Sequence, residues 1–410
     1  MNHQSMEKEQ AAIPTKSTRL LSLDALRGFD MFWIISGEGI FHGFASVVMQ
    51  QHGLVRNPVD WQIATTGDLS FIERIFISIS NQLHHSPWNG FTFYDLIFPL
   101  FIFIAGVSMP YSFGSQLERG GINPSVVRKR IYFSLIKRTV ILIFFGMVVN
   151  GALAFKGYPD TRFASVLGRI ALSCFFAAII FLNCNLRGQI VWLLGILIGY
   201  WVAMMTIPVP GFGSGVLSPE GNPAAFIDRV LLPGKLHRTV YDPEGLFSTV
   251  PAICTALLGV FTGQFLREKT LKWSPLVKGF LLSVAGIILL IVGLLWGMVF
   301  PVNKNMWTSS FVLYAGGWSL LLLSLFYLII DVAGLKKWSM PFVWVGCNSI
   351  LIYMAAHGIV NFEYSSGFIF GGLINQTGLL WHPAFLWIGV AILQLTILYF
   401  LYQKKWFLKV

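Results

Sequence analysis

A chain of 410 residues that is 55% hydrophobic and only 11% charged cannot cover the surface of a soluble protein, in which about a quarter of the residues are charged. Its mean hydropathy of +0.68 comes from repeated long apolar runs, the mark of a polytopic membrane protein. The formal charge of +11 sits in short connecting segments and not in a basic–aromatic module, so nucleic acid is not an expected partner.

Within a bilayer the backbone has to satisfy its own hydrogen bonds, so the apolar runs read as helices and the fold class as all-α. They lack the alternation of a membrane β-barrel. About ten transmembrane helices are predicted, near 24–48, 92–113, 133–154, 163–183, 189–207, 247–266, 277–300, 308–330, 340–361 and 384–402. An even number puts both termini on one side. Most of the 29 lysines and arginines fall on segments of that side, so the positive-inside rule predicts both termini cytoplasmic. Residues 1–19 are expected to be a polar cytoplasmic tail without the apolar core of a signal peptide. Residues 20–410 read as one integral membrane domain with two long outer segments, 49–91 and 208–246, rich in Pro, Gly and aromatics. The four cysteines, Cys174, Cys184, Cys254 and Cys347, lie in or at the ends of apolar runs and form no CxxC pair. They read as buried small hydrophobes, with neither a disulfide framework nor a metal site expected.

In chain order, Ser22-Leu-Asp-Ala-Leu-Arg-Gly28 comes first. Ser22 is expected to N-cap the first helix, with Asp24 in its first turn. Arg27, one turn on, either snorkels at the inner interface or grips a cytosolic anion such as a phosphate. Glu38 lies deep in the span, where a charge is expensive. The stretch Leu83 to Gly106 runs a polar cluster with His84, His85, Asn89 and Asp95 directly into an apolar helix. Imidazole exchanges protons near neutral pH, and a His pair beside Trp88-Asn89-Gly90 at a membrane face points to reactive chemistry. Thr92-Phe-Tyr-Asp95 has capping-box spacing, so Asp95 reads equally as a helix anion.

Gly120 to Arg138 reads as a basic cytoplasmic hairpin. Arg128, Lys129, Arg130 and Arg138 there either serve topology or contact a phosphate-bearing cofactor. Arg169 lies about two turns into the fourth span and needs a partner, with Glu38 or Glu244 as candidates. In Tyr241-Asp-Pro-Glu-Gly245, Asp242 is expected to cap the sixth span, Pro243 to take its first position and Glu244 to stand in its first turn. Asn348 and Ser349 in the ninth span either bond between helices or line a substrate tunnel.

Taken together, several of these stretches resemble one family, the transmembrane heparan-α-glucosaminide N-acetyltransferases with their bacterial relatives. The matching pieces are Ser22-Leu-Asp-x-x-Arg-Gly28, His85-x-x-Trp-Asn-Gly90, Asp95-Leu-x-Phe-Pro-x-Phe-x-Phe-Ile-x-Gly106, Val166-Leu-x-Arg169, Asp242-Pro-Glu-Gly245 and Gly346-x-Asn-Ser-Ile-Leu-x-Tyr353. The segment at about 49–80 is longer than in the family, and the sequence has no counterpart of the large lumenal domain that precedes the bundle in animal members. The resemblance implies transfer of an acetyl group from cytosolic acetyl-CoA to an amino sugar or glycan across the membrane, with His85, not His84, as the active histidine. A bacterial inner membrane is the expected location, and a homodimer is left open.

On that reading the nucleotide stays at the cytoplasmic rim, near Arg27 and the 128–138 cluster, and the thioester reaches the outer mouth. His85 acts there as general base or as a transient acetyl carrier. Asn89 is a candidate for the oxyanion, and Asp95 or Glu244 for orienting the imidazole. Two other classes suit the same polar residues at depth. One is a secondary transporter without acyl chemistry. The other is an O-acyltransferase acting on a cell-envelope glycan.

Overall fold

The computed structural model describes residues 20–65, 68–119, 124–270 and 272–408. The tail expected at 1–19 lies outside the described residues. Nine helices among the described residues are long and apolar enough to cross a membrane. They are α1 (Leu21–His52), α3 (Phe93–Glu118), α4 (Ser125–Val149), α5 (Val166–Asn183), α6 (Leu186–Thr206), α8 (Leu246–Arg267), α9 (Pro275–Gly297), α10 (Ser309–Val332) and α14 (Leu379–Gln403). A further apolar pair, α11 (Lys337–Cys347) and α12 (Ser349–Ile359), meets at 67° and forms either a broken tenth span or a re-entrant loop. Shorter helices lie between the spans, namely α2 (Phe71–Gln82), α7 (Pro223–Leu231) and α13 (Phe362–Ile374). The described residues form isolated β-bridges but no strand. The protein is an all-α, multi-pass integral membrane bundle; nine of the ten expected apolar runs are single helices of spanning length and the other, near 340–361, is the bent pair.

The most enclosed spans are α8, α3 and α10, while α4, α6 and α9 turn most of their surface outward. In lipid, helices gain little from burying apolar surface against each other, so close backbone packing takes over. Between α3 and α8 that packing rests on glycine. A Cβ on Gly106 would strike the Ala256 carbonyl, one on Gly259 the Phe103 carbonyl, and one on Gly263 the Val107 carbonyl. The contact of α1 with α11 uses the same device, with Gly28 against the Phe342 carbonyl and Gly346 against that of Asp24.

Helix ends depart from expectation where a distant carboxylate takes over the cap. Ser22 is not the N-cap of α1. Asp331, at the end of α10, accepts from the Leu21 and Ser22 amides at 3.3 and 3.2 Å. Asp242 does not cap α8 either. The helix starts later, at Leu246, whose amide donates to Asp228 on α7 at 2.8 Å. Asp242 instead closes a turn on its own chain, accepting from the Glu244 amide at 2.9 Å. Of the basic stretch expected as a hairpin, residues 120–123 lie outside the described residues and the rest is the start of α4, since Lys and Arg are good helix formers.

The chain order gives the bundle two ends. The first carries the turn 83–92, the segment 53–82 packed on the second half of α1, the segment 207–245 and the loop 298–308. The opposite end carries Arg27, Arg138 and Arg267.

Candidate active site

His85 stands in the turn between α2 and α3, and the start of α3 dictates its surroundings. The Thr92 amide donates to Asp95 Oδ2 at 3.2 Å, the capping arrangement that the spacing predicted, while the Thr92 hydroxyl donates to the His84 carbonyl at 2.6 Å. The Ser86 amide adds a bond to the same oxygen at 3.1 Å. Oδ1 is left for the imidazole, and His85 Nδ1–H donates to it at 2.8 Å. Asp95 is therefore both a helix cap and an imidazole partner, and its side chain is only 1% exposed while that of His85 is 52% exposed. Holding the proton on Nδ1 leaves Nε2 with its lone pair.

A residue that the sequence reading used only for topology completes the group. Lys304 Nζ lies 3.0 Å from His85 Nδ1, 3.1 Å from Nε2 and 3.6 Å from Asp95 Oδ1. Its loop is braced against the turn that bears His85. Asn303 Nδ2 donates to the Trp88 carbonyl at 2.8 Å and to Asn89 Oδ1 at 3.0 Å. The Gly90 amide donates to the Val302 carbonyl at 2.9 Å, and the Asn303 amide to Thr308 Oγ1 at 3.1 Å. Asn89 thus spends its oxygen on joining the two loops. Partial desolvation against the cavity wall and the Lys304 ammonium hold His85 below the usual imidazole pKa, against the pull of Asp95. Burial likewise holds Lys304 below the usual amine value, with Asp95 and Glu244 opposing.

His84 turns elsewhere. Its ring stacks on His42 at 4.3 Å, and Trp61 lies 6.1 Å away. Burial, with His42 and Arg56 nearby, pushes its pKa down to about 4.

Beside His85 lies a cavity of about 170 Å³, with His85, Lys304, Glu244, Tyr94, Tyr353 and His357 as its polar wall. Tyr94 donates its hydroxyl to Glu38, whose other oxygen is 3.5 Å from His42 Nε2. Glu244 is fixed by Arg162, which also clasps Asp242 through Nε at 2.9 Å and Nη2 at 2.6 Å. The two carboxylates hold the Arg162 pKa above its usual value despite burial. Arg169 pairs with neither expected glutamate, because Arg162 takes Glu244 and Tyr94 takes Glu38. Its own bonds go to the Gly245 carbonyl at 3.2 Å and the Ser248 hydroxyl, and its guanidinium lies 4.9 Å from the Trp307 ring centre.

The opposite end opens into a much larger cavity of about 1850 Å³. Arg27, Arg138, Arg267, Lys269 and Ser349 line it. Arg27 donates to Ser108 Oγ at 3.2 Å and lies 3.5 Å from Asp24, and Arg267 donates to Ser115 Oγ at 3.3 Å. Arg128, Lys129 and Arg130 stand exposed on the first turns of α4, away from its walls. Asn348 also points away. Its amide donates to the Trp406 carbonyl at 2.9 Å, and its oxygen accepts from the Leu408 amide at 3.0 Å. Phe101, Leu167, Ile170 and Ile350 line both cavities, so the two lie back to back across a shared apolar wall.

Neither Lys304 nor Arg267 and Lys269 was singled out by sequence. A cation at the end of an apolar span looks the same whether it snorkels or faces a cavity.

Comparison with known proteins gives one consistent result. Residues 63–292 match the family described as heparan-alpha-glucosaminide N-acetyltransferase, catalytic. Relatives that carry the name heparan-alpha-glucosaminide N-acetyltransferase include one from Homo sapiens, 30% identical over 80% of this chain and 55% of its own length. Another, from Mus musculus, is 28% identical over 73% of this chain and 53% of its own. The chain spans about half the length of the curated relatives it matches.

Proposed function

The chain belongs to the heparan-alpha-glucosaminide N-acetyltransferase catalytic family, a family of transmembrane acetyltransferases, and on that premise we propose that it moves an acetyl group from acetyl-CoA to the amine of an amino sugar or related glycan. The observation that supports this reading is the pair of cavities on either side of Phe101, Leu167, Ile170 and Ile350, one lined by Arg27, Arg138 and Arg267 together with Asp24, Glu118 and Glu268, and the other ending at His85. A donor with a charged nucleotide and a thin uncharged arm suits that shape. The nucleotide stays among Arg27, Arg138 and Arg267, and the thioester reaches His85.

In the reaction, the nitrogen lone pair of the acceptor attacks the thioester carbonyl carbon and the C–S bond breaks. CoA leaves as the thiol after taking up a proton, and the acceptor nitrogen loses one. His85 Nε2 receives the acceptor's proton, and Asp95 holds the ring and stabilises the imidazolium, a role worth about 10²–10⁴-fold in rate. Glu244, fixed in the cavity wall, accepts an N–H of the neutral acceptor amine and orients its lone pair. The excess of basic residues on segments beside the arginine rim supports a rim facing the cytosol with His85 on the outer side, and on this reading the membrane is a bacterial inner membrane.

The test is thiol release from acetyl-CoA by purified protein with a panel of amino sugars and their hydroxyl analogues. Amino sugars are expected to drive release. His85→Ala should lose at least 100-fold in kcat, and His84→Ala should keep most of the activity, since that ring packs into the outer segment. Equal losses in both variants would refute the assignment of His85. Substrate flux into proteoliposomes without thiol release would replace the enzyme with a transporter.

A further inference from the structure

The position of Lys304 is too specific for a cation that only neutralises Asp95. Its Nζ is 3.6 Å from the carboxylate but 3.0 and 3.1 Å from the two ring nitrogens of His85. It therefore aims at the ring, and the loop that carries it is tied to Trp88, Asn89 and Gly90 by main-chain and amide bonds. An ammonium has three donors and no acceptor. Almost equidistant from the two ring nitrogens, Nζ lies along neither nitrogen's in-plane axis, so the Nε2 lone pair stays open and an ammonium N–H can turn to another acceptor. The cavity offers space in front of it, with Glu244 on the far wall.

We propose that Lys304 is a catalytic residue of the transfer, donating an N–H from its ammonium to the thioester oxygen as that oxygen becomes negative. When the amine attacks, the carbonyl π electrons move onto oxygen, beside Nζ. When the C–S bond breaks they return, and the sulfur leaves with its electron pair. The Lys304 ammonium keeps all its protons throughout, so no further reactant is needed. A fixed charge waiting where negative charge develops is the strongest kind of help that a site can give. This inference rests on the acetyl-transfer reading above.

Lys304 also sets how His85 titrates. Around the ring stand Asp95, Tyr94, Lys304, Glu244, Tyr353 and His357, with Glu38 behind Tyr94 and His84 adjacent in the chain. Lys304 is the cation in contact with the imidazole. Without it the carboxylates Asp95, Glu38 and Glu244 remain, the imidazolium is favoured, and the ring protonates at higher pH.

The experiment compares wild type, Lys304→Met and Lys304→Arg in detergent, by thiol release over a pH series and by pH-dependent diethylpyrocarbonate labelling read at the His85 peptide. In Lys304→Met, kcat should fall about 10²–10³-fold with the donor KM within threefold of wild type. The acid limb of kcat/KM and the labelling midpoint should both move to higher pH. Lys304→Arg should recover part of kcat and keep both midpoints near wild type. A Lys304→Met kcat within threefold of wild type, or midpoints that do not move, overturns the proposal while leaving the transfer reading intact. A wild type that releases no thiol with any amine overturns the transfer reading and this role together. The labelling midpoints then report whether the lysine is coupled to the ring.

Discussion

Asp95→Asn separates the cap from the chemistry at a single atom. The Asp95 carboxylate, 1% exposed, accepts from His85 Nδ1, the Ser86 amide and the Thr92 amide. An asparagine oxygen placed at Oδ2 keeps the last two bonds. Its NH₂ group then faces His85 Nδ1, which has to accept, so the ring proton moves to Nε2 and the base is blocked. The charge-assisted bond to His85 is worth about 1.5–3 kcal/mol against about 0.5–1.5 for a neutral one. The ion pair to Lys304 is lost as well, so about 2–3 kcal/mol of stability should go. The tautomer error weighs more, since the same change in a His–Asp pair elsewhere costs about 10⁴ in kcat. We expect kcat to fall about 10³–10⁴-fold in the thiol-release assay, with acetyl-CoA still binding and the thermal midpoint only modestly lower. Thr92→Val is the control. It removes the hydroxyl bond to the His84 carbonyl, should cost about 1 kcal/mol, and should leave kcat within about fivefold. A folded Asp95→Asn protein that keeps more than a tenth of kcat, or a Thr92→Val loss of equal size, would refute the reasoning.

The donor rim and the outer segment make separate predictions. Arg267→Gln and Arg27→Gln should raise the acetyl-CoA KM about tenfold with kcat largely kept, whereas Arg128→Gln, outside the cavity, should change neither. The contrast is read from initial-rate kinetics, and an Arg128→Gln effect as large as that of Arg267→Gln would move the nucleotide elsewhere. Asp228, 1% exposed, has its pKa pushed up to about 7 by burial. An unfolded aspartate titrates near 4, so between about pH 4 and 7 the folded state binds more protons and stability falls as pH rises. Asp228→Asn should abolish that slope and raise the thermal midpoint at pH 8. An unchanged slope in a pH series of detergent melts would exclude the buried carboxyl as its source.

The transmembrane plan was legible because it follows from local composition, one apolar run for each span. The capping role of Asp95 was legible for the same reason, since Thr92 and Asp95 are three residues apart. What escaped were the pairings made across long stretches of chain. Asp331 caps a helix that begins 310 residues earlier, and Asp228 caps α8 in place of the nearer Asp242. No local pattern ranks one acidic residue above another for such a role. Lys304 is the plainest case, since it lies 219 residues from His85 on a loop with no motif of its own. The bend at Asn348 was hidden by the continuous hydropathy on either side, and the residue is drawn off to the C-terminal segment.

The separation of the two ends bears on how the halves of the site divide their work. Asp95 and Ser108 lie on the same helix, α3. One holds His85 and the other receives Arg27. Thirteen residues at about 1.5 Å each put them about 20 Å apart. Between them the shared wall is built from Phe101, Leu167, Ile170 and Ile350, all apolar. Such a wall penalises a charged or heavily hydrated segment, because nothing there replaces the lost water. On the proposed reading an extended, uncharged arm of about that length would pass there and the charged head would stay at the rim. Rim contacts are made equally in the ground state and the transition state, so removing them weakens binding without slowing the chemistry. His85, Asp95 and Lys304 meet charge that exists only during transfer, so their loss falls on kcat. A rim substitution that lowered kcat and spared KM would mean that the two cavities do not hold opposite ends of one molecule.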